Sequence, residues 1–92
     1  MTDNEIMARA DAALAEEFEL DPADLTPQAR FKDDLGLDSL DAVDMVVALE
    51  QAFGIKIGKD PVLLEIRTLG DLHRYLIDKK RSLEGQSRSD AA

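Results

Sequence analysis

Chemistry in this chain has few places to start. Ser39 lies in "DDLGLDSLDAVDMVVALE", between an aspartate and a leucine, at the start of an apolar-striped acidic segment. A serine nucleophile acting by itself needs a base and a group that orients that base. The only histidine, His73, falls far along the chain, in a segment with helical periodicity, where it is expected at a surface or at the edge of the core. No strand-turn-helix nucleophile elbow surrounds Ser39. The aspartates Asp33, Asp34, Asp38, Asp41 and Asp44 do not follow the alternating order of a calcium loop, and no metal site is expected. Asp38, Asp41 and Asp44 instead recur every three residues and predict an acidic ridge along a helix start.

Three readings of Ser39 therefore stand. It caps the helix, as Asp and Ser commonly do. It is phosphorylated, in a small helical adaptor. Or a visiting enzyme, bringing its own base, attaches a group to it. In the last case Asp38 is the cap, Ser39 lies in the first turn, and the helix amino end suits a phosphate. The acidic ridge then suits a basic docking surface.

Composition sets the frame. At 92 residues, 45% hydrophobic but only 4% aromatic, the chain fits one small domain with a thin aliphatic core. That leaves little room for a deep catalytic cavity. The net charge of -9 disfavours nucleic acid and anionic membranes as partners. Cysteine is absent, which excludes disulfides and thiolate metal sites and agrees with a reducing, cytoplasmic setting. No apolar run suits a membrane span, and the first residues resemble neither a secretory signal nor a transit peptide.

The elements that would position Ser39 follow from periodicity. Ile6, Ala10, Leu14 and Phe18, with Met7 and Ala13, predict a helix from Asp3 to Phe18, capped by Asp3 or Thr2. Residues 19–37 carry Pro22, Pro27 and Gly36, yet Leu20, Leu25, Phe31, Leu35 and Leu37 are apolar. This predicts a long ordered loop pinned across the core. A second helix runs from Ser39 to Phe53 and stops at Gly54. Its inward stripe is read as Leu40, Val43, Val47, Ala48 and Phe53, widened by Met45, Val46 and Leu49. Ile55 to Ile57 read as an extended connection. Asp60-Pro61 predicts the cap and first turn of a short helix ending near Ile66. Thr68 caps a last helix with Leu69, Leu72, Tyr75 and Leu76 facing in, closed by the basic "DKKRS". The patternless residues 83–92 are expected to form a disordered tail. The fold class is all-α: a small four-helix bundle of three main helices and one short one, with a domain at 1–82.

The segment "DDLGLDSLDAVDMVVALEQAFGIKI" closely resembles the prosthetic-group attachment region of acyl carrier proteins. Phe31, Leu35-Gly36-Leu37, Asp38-Ser39-Leu40, Glu50 and Phe53-Gly54-Ile55 carry the resemblance, which covers roughly residues 3–80. It implies that Ser39 carries 4′-phosphopantetheine, delivered from coenzyme A by a phosphopantetheinyl transferase, with Asp38 and Leu40 flanking it. The arm's thiol would hold acyl groups as thioesters for fatty-acid, related lipid or polyketide synthesis. The chain would then be a non-catalytic monomeric phosphoprotein that serves acyl-transferring and synthase enzymes with basic docking patches. Docking would use Asp38, Leu40, Asp41, Asp44, Met45 and Glu50. The acyl cargo would be sheltered by Val43, Val47, Phe53, Ile57, Ile66 and Leu72. The text departs from the general fatty-acid carriers at "GKDPVLLEIR". There Lys59 and Arg67 replace acid and Leu63 and Leu64 add apolar surface, which points to a specialised carrier.

Overall fold

The computed structural model describes residues 2–58 and 61–91, the last eight of these by backbone alone. Lys59 and Asp60 lie outside the described residues, and with them the expected cap at Asp60 and the expected partner contact of Lys59. Three α-helices follow in order: α1 (Asp3–Phe18), α2 (Ser39–Phe53) and α3 (Leu69–Ala91). Two short 3₁₀ segments, Pro22–Asp24 and Pro61–Glu65, sit in the connections. The all-α class is as expected. The expected short helix is a five-residue 3₁₀ segment, the form short connectors commonly take. α3 continues as helix to Ala91, through the residues expected to form a disordered tail.

α1 begins where Thr2 and Glu5 satisfy each other's backbone amides, so Thr2 rather than Asp3 is the cap. Ile6, Ala10 and Leu14 are buried at four-residue steps, as the periodicity requires. α2 ends at Gly54, whose left-handed backbone (φ 63°) suits glycine. Thr68 and Asp71 open α3 with a second reciprocal pair, Asp71 N–H to Thr68 Oγ1 and Thr68 N–H to Asp71 Oδ2, both 3.2 Å.

The inward face of α2 differs from expectation. Met45, Leu49 and Phe53 are buried, whereas Leu40, Val43 and Val47 are 79%, 64% and 45% exposed. The reason lies in the sequence of α2, where apolar residues occupy nearly every side. Two stripes at helical spacing compete, and packing against the rest of the core selects the one that reaches Phe53 through Met45 and Leu49, which the expected face held only at its margin, over Leu40, Val43 and Val47. His73 is buried and bridges α3 to α1 through its Nε2, 2.7 Å from Asp11 Oδ1. It is not a surface residue, and this ring nitrogen is engaged by Asp11.

α1 is the spine of the bundle. Its backbone approaches both α2 and α3, while no described residues bring the α2 and α3 backbones within 8 Å of each other. Side chains fill the space between them. Ile6, Leu14, Leu49, Leu69, Leu72 and Leu76 are almost wholly buried, and truncating any of them to Ala should cost about 2–5 kcal/mol.

The loop between α1 and α2 is ordered, as its apolar residues predicted. Phe31 is buried, and Leu20, Leu25, Leu35 and Leu37 pack on the core. A feature the sequence did not announce holds it. Residues 29–31 run antiparallel to 67–69 around an Arg30–Thr68 bridge. Phe31 N–H donates to the Arg67 carbonyl (3.0 Å), Leu69 N–H to Ala29 (2.9 Å) and Gly70 N–H to Pro27 (2.9 Å). At Gly70 a Cβ would lie 2.9 Å from the Pro27 carbonyl oxygen, so the close approach excludes a side chain. Gly70→Ala is therefore expected to destabilise the fold by about 1–3 kcal/mol, although alanine is the better helix former. Urea denaturation should show a lowered midpoint with the slope retained. An unchanged or raised midpoint would mean the loop shifts aside without cost.

Candidate functional site

Asp38 caps α2. Its Oδ1 accepts from Leu40 N–H (2.9 Å) and Asp41 N–H (3.1 Å), and Asp41 Oδ2 accepts from Asp38 N–H (3.1 Å). Ser39 is thereby the first helical residue and not the cap. It is exposed, and its hydroxyl makes no hydrogen bond among the described residues. The capping role is filled without it.

Ser39 stands at the edge of an open depression of about 570 Å³. Phe31, Leu37, Ala42, Met45, Leu63 and Ile66 give it apolar walls, and Arg30, Lys32 and Arg67 give it a basic rim. Two other depressions, along the α1–α2 seam and between Pro61–Glu65 and α3, do not include Ser39. Among the described residues no three His, Asp or Glu side chains converge to hold a metal ion.

The residues assigned from sequence do not stay together in the structure. Asp38, Ser39, Leu40 and Asp44 are exposed at the start of α2, as residues of a docking face must be. Asp41 is half-buried and held in the cap. Met45, expected at the docking face, is buried and lines the depression. Val43 and Val47, expected in an acyl pocket, face solvent. One rotation of α2 from the expected stripe accounts for both exchanges. Phe53, Ile57 and Leu72 are core residues, and Ile66 alone of the expected pocket set borders the Ser39 depression.

Glu50, expected at the docking face, has a structural task. Its Oε2 accepts from Ile57 N–H (2.8 Å) and Gly58 N–H (3.2 Å), tying the connection after α2 back onto the helix. These two amides hold its carboxyl below the ordinary glutamate value. Asp34 is likewise lowered, first by the Arg30 backbone N–H and then by its guanidinium. Arg30 reaches Asp33 at 3.3 Å and Asp34 at 3.2 Å, and its own value is raised. Asp71 is lowered by the N–H groups of Arg67 and Thr68.

The basic rim was not assembled from sequence. Lys32 and Arg30 lie more than 30 positions from Arg67, and only the antiparallel tether brings them to one depression. Phe31 and Leu37 were legible as loop anchors, but not as walls.

Residues 9–76 match a family model described as "Phosphopantetheine attachment site". The match spans most of the chain, and the chain belongs to this family, that of the acyl carrier proteins. Acyl carrier proteins of Helicobacter pylori strains G27 and HPAG1 are each 44% identical to it over 69 residues, which is 75% of this chain and 87% of theirs. As a member it is a non-catalytic carrier whose cofactor is covalent 4′-phosphopantetheine. Family membership implies service to a phosphopantetheinyl transferase and to biosynthetic enzymes. An exposed hydroxyl with no competing hydrogen bond, beside a basic rim, is compatible with that group.

The Glu50 clamp predicts a pH dependence. Its folded value lies below its unfolded one, so its stabilising contribution is complete above the ordinary glutamate value of about 4.3 and is lost as pH falls through the lower folded value. Glu50→Gln should be less stable than the parent at pH 7, and the gap should close on acidification below about pH 4. Thermal melts of both proteins at several pH values check this. A constant gap would assign the effect to side-chain shape rather than charge.

Proposed function

We propose that Ser39 is the residue that carries the phosphopantetheine arm, and that the protein holds acyl intermediates on it for fatty-acid or related lipid or polyketide synthesis. One observation carries this reading: Asp38 caps α2, so the neighbouring hydroxyl is exposed and uncommitted. The arm supplies the thiol that carries an acyl group as a thioester. The chain's residues do the rest. Ser39 would offer its oxygen to the pantetheine-side phosphorus of coenzyme A, the pyrophosphate bond would break to release adenosine 3′,5′-bisphosphate, and the serine proton would pass to a base on the transferase, since His73 is held by Asp11.

Leu40, Val43 and Val47 form an exposed apolar strip beside Asp38 and Asp44. This pairing suits a partner with a hydrophobic notch inside a basic patch. The apolar walls at Ala42, Met45, Leu63 and Ile66 suit an acyl chain entering between α2 and the connection that precedes α3. Leu64, 87% exposed beside Arg67, supports a specialised carrier. Such a carrier should be accepted by a general fatty-acid elongation system less well than an ordinary carrier, and equal acceptance would make it a general one. The functional domain is placed at residues 1–82, acting as a cytoplasmic monomer.

Incubation with coenzyme A and a broad-specificity phosphopantetheinyl transferase should add one arm by intact mass, and none to Ser39→Ala. The same measurement on protein from its own host separates a phosphopantetheine from a simple phosphate or from no addition. Modification of Ser39→Ala would overturn the assignment.

Docking is tested at Asp44 and Leu40 rather than Asp41, which the cap requires. Asp44→Lys should slow loading roughly two- to fivefold at low salt, the scale of one exposed charge pair, with the gap closing at high salt. Leu40→Ala should slow it at every salt concentration. Both should keep their helical circular dichroism. Unchanged loading in both would leave this face without a docking role.

A further inference from the structure

The amino end of a helix is usually an anion site because its first amides have no partner inside the helix. At α2 they are largely taken. Asp38 Oδ1 holds the N–H groups of Leu40 and Asp41, and Ala42 N–H donates to the Asp38 carbonyl (3.2 Å). The Asp38 N–H itself goes to Asp41. Only the Ser39 amide is without a hydrogen bond here among the described residues. Asp33, Asp38 and Asp41 also border the depression and add negative charge beside Ser39.

A phosphodiester on Ser39 would carry a permanent negative charge into this acidic setting. Within the protein its compensation can come from side-chain cations, and three among the described residues border the depression: Arg30, Lys32 and Arg67. Arg30 is engaged by Asp33 and Asp34. Lys32 and Arg67 are exposed, and neither side chain has a hydrogen bond or ion pair among the described residues. The tether that pairs Phe31 N–H with the Arg67 carbonyl places the two on neighbouring backbone segments.

We propose that Lys32 and Arg67 form a two-point seat for the phosphodiester of the arm, replacing the helix amides that Asp38 has taken. The seat rests on Ser39 being the attachment residue. Its effect is to hold the root of the arm toward the depression rather than along the acidic flank of α2. Arg67 offers a planar donor fork and Lys32 a compact charge on a flexible stem, a combination suited to a phosphate oxygen pair.

The test compares the loaded parent, Lys32→Gln, Arg67→Gln, the double variant, and Lys56→Gln as a control outside the depression. Intact mass first establishes loading, and circular dichroism the fold. A parent that takes no arm, or takes it elsewhere, refutes the Ser39 reading itself. With loading established, the ³¹P line of the arm and the Arg67 Nε–Hε resonance are recorded at low salt and at 1 M salt. Loading should move the Arg67 resonance. The ³¹P line should differ between parent and double variant, with each single variant between them and Lys56→Gln matching the parent. The difference should fade at 1 M salt, where screening extends only about 3 Å. A double variant whose ³¹P line superimposes on the parent's at low salt, with Arg67 unmoved by loading, overturns the seat while leaving the attachment site intact. That result would assign the two cations to contacts with an acidic surface of a partner.

Discussion

The start of α2 is the point on which this structure turns. Asp38 and Asp41 accept each other's backbone hydrogen bonds, and that reciprocal pair fixes which residue begins the helix. Each residue of an α-helix advances about 100°, so once packing turns Met45, Leu49 and Phe53 inward, Leu40, Val43 and Val47 are turned out. With Asp38 as cap, Ser39 in the first turn is exposed and uncommitted. A start one residue later would make Ser39 the cap and engage its hydroxyl. The same device opens the other two α-helices, at Thr2–Glu5 and Thr68–Asp71. All three helix starts are thus fixed by local hydrogen bonds between residues three apart.

These caps change the meaning of the acidic composition. A net charge of -9 on 92 residues suggests a repulsive surface. Yet many of the carboxylates act as acceptors for backbone amides: Glu5, Asp34, Asp38, Asp41, Glu50 and Asp71 each hold at least one N–H. Where a shift is resolved among these, it is downward, and the amides are its leading cause. Acid in this chain therefore does two kinds of work. Some of it terminates and ties the backbone, and some, such as Asp44, stands on the surface. The two cannot be exchanged by counting charges, which is why Asp41 and Glu50 read as docking residues in the sequence and are structural in the fold.

What the sequence made legible follows the range of the interaction. α1 was plain because its apolar residues form one stripe and its polar residues the other face. The order of the long loop was plain because its leucines and Phe31 would be wasted in solvent. The phase of α2 was not, since apolar residues on almost every side support two stripes equally. The tether between residues 29–31 and 67–69 was not either. It is made of backbone hydrogen bonds between segments of no marked β-propensity, and only Gly70, which admits no side chain against Pro27, leaves a trace of it. The basic rim shares that fate, because its members meet only through the tether. The proposed attachment serine was legible for the opposite reason: its cap, its flanking residues and its loop are all local.

The arrangement of the helices bears on how a carrier of this size can shelter cargo at all. A thin core has little packing energy in reserve, and a preformed cavity would subtract from it. Here the core is anchored on α1, which meets α2 along one seam and α3 along the other. Among the described residues side chains close the α2–α3 side, and Met45 of α2 and Ile66 of the connection before α3 both line the depression near Ser39. Separating that side exposes few backbone hydrogen bonds and leaves both α1 seams in place. The tether keeps the α1–α2 loop attached to the start of α3. An acyl chain held there, as proposed above, would bury apolar surface against the walls of the depression. The depression lies beside Ser39 because the capped start of α2 and the tethered loop both border it.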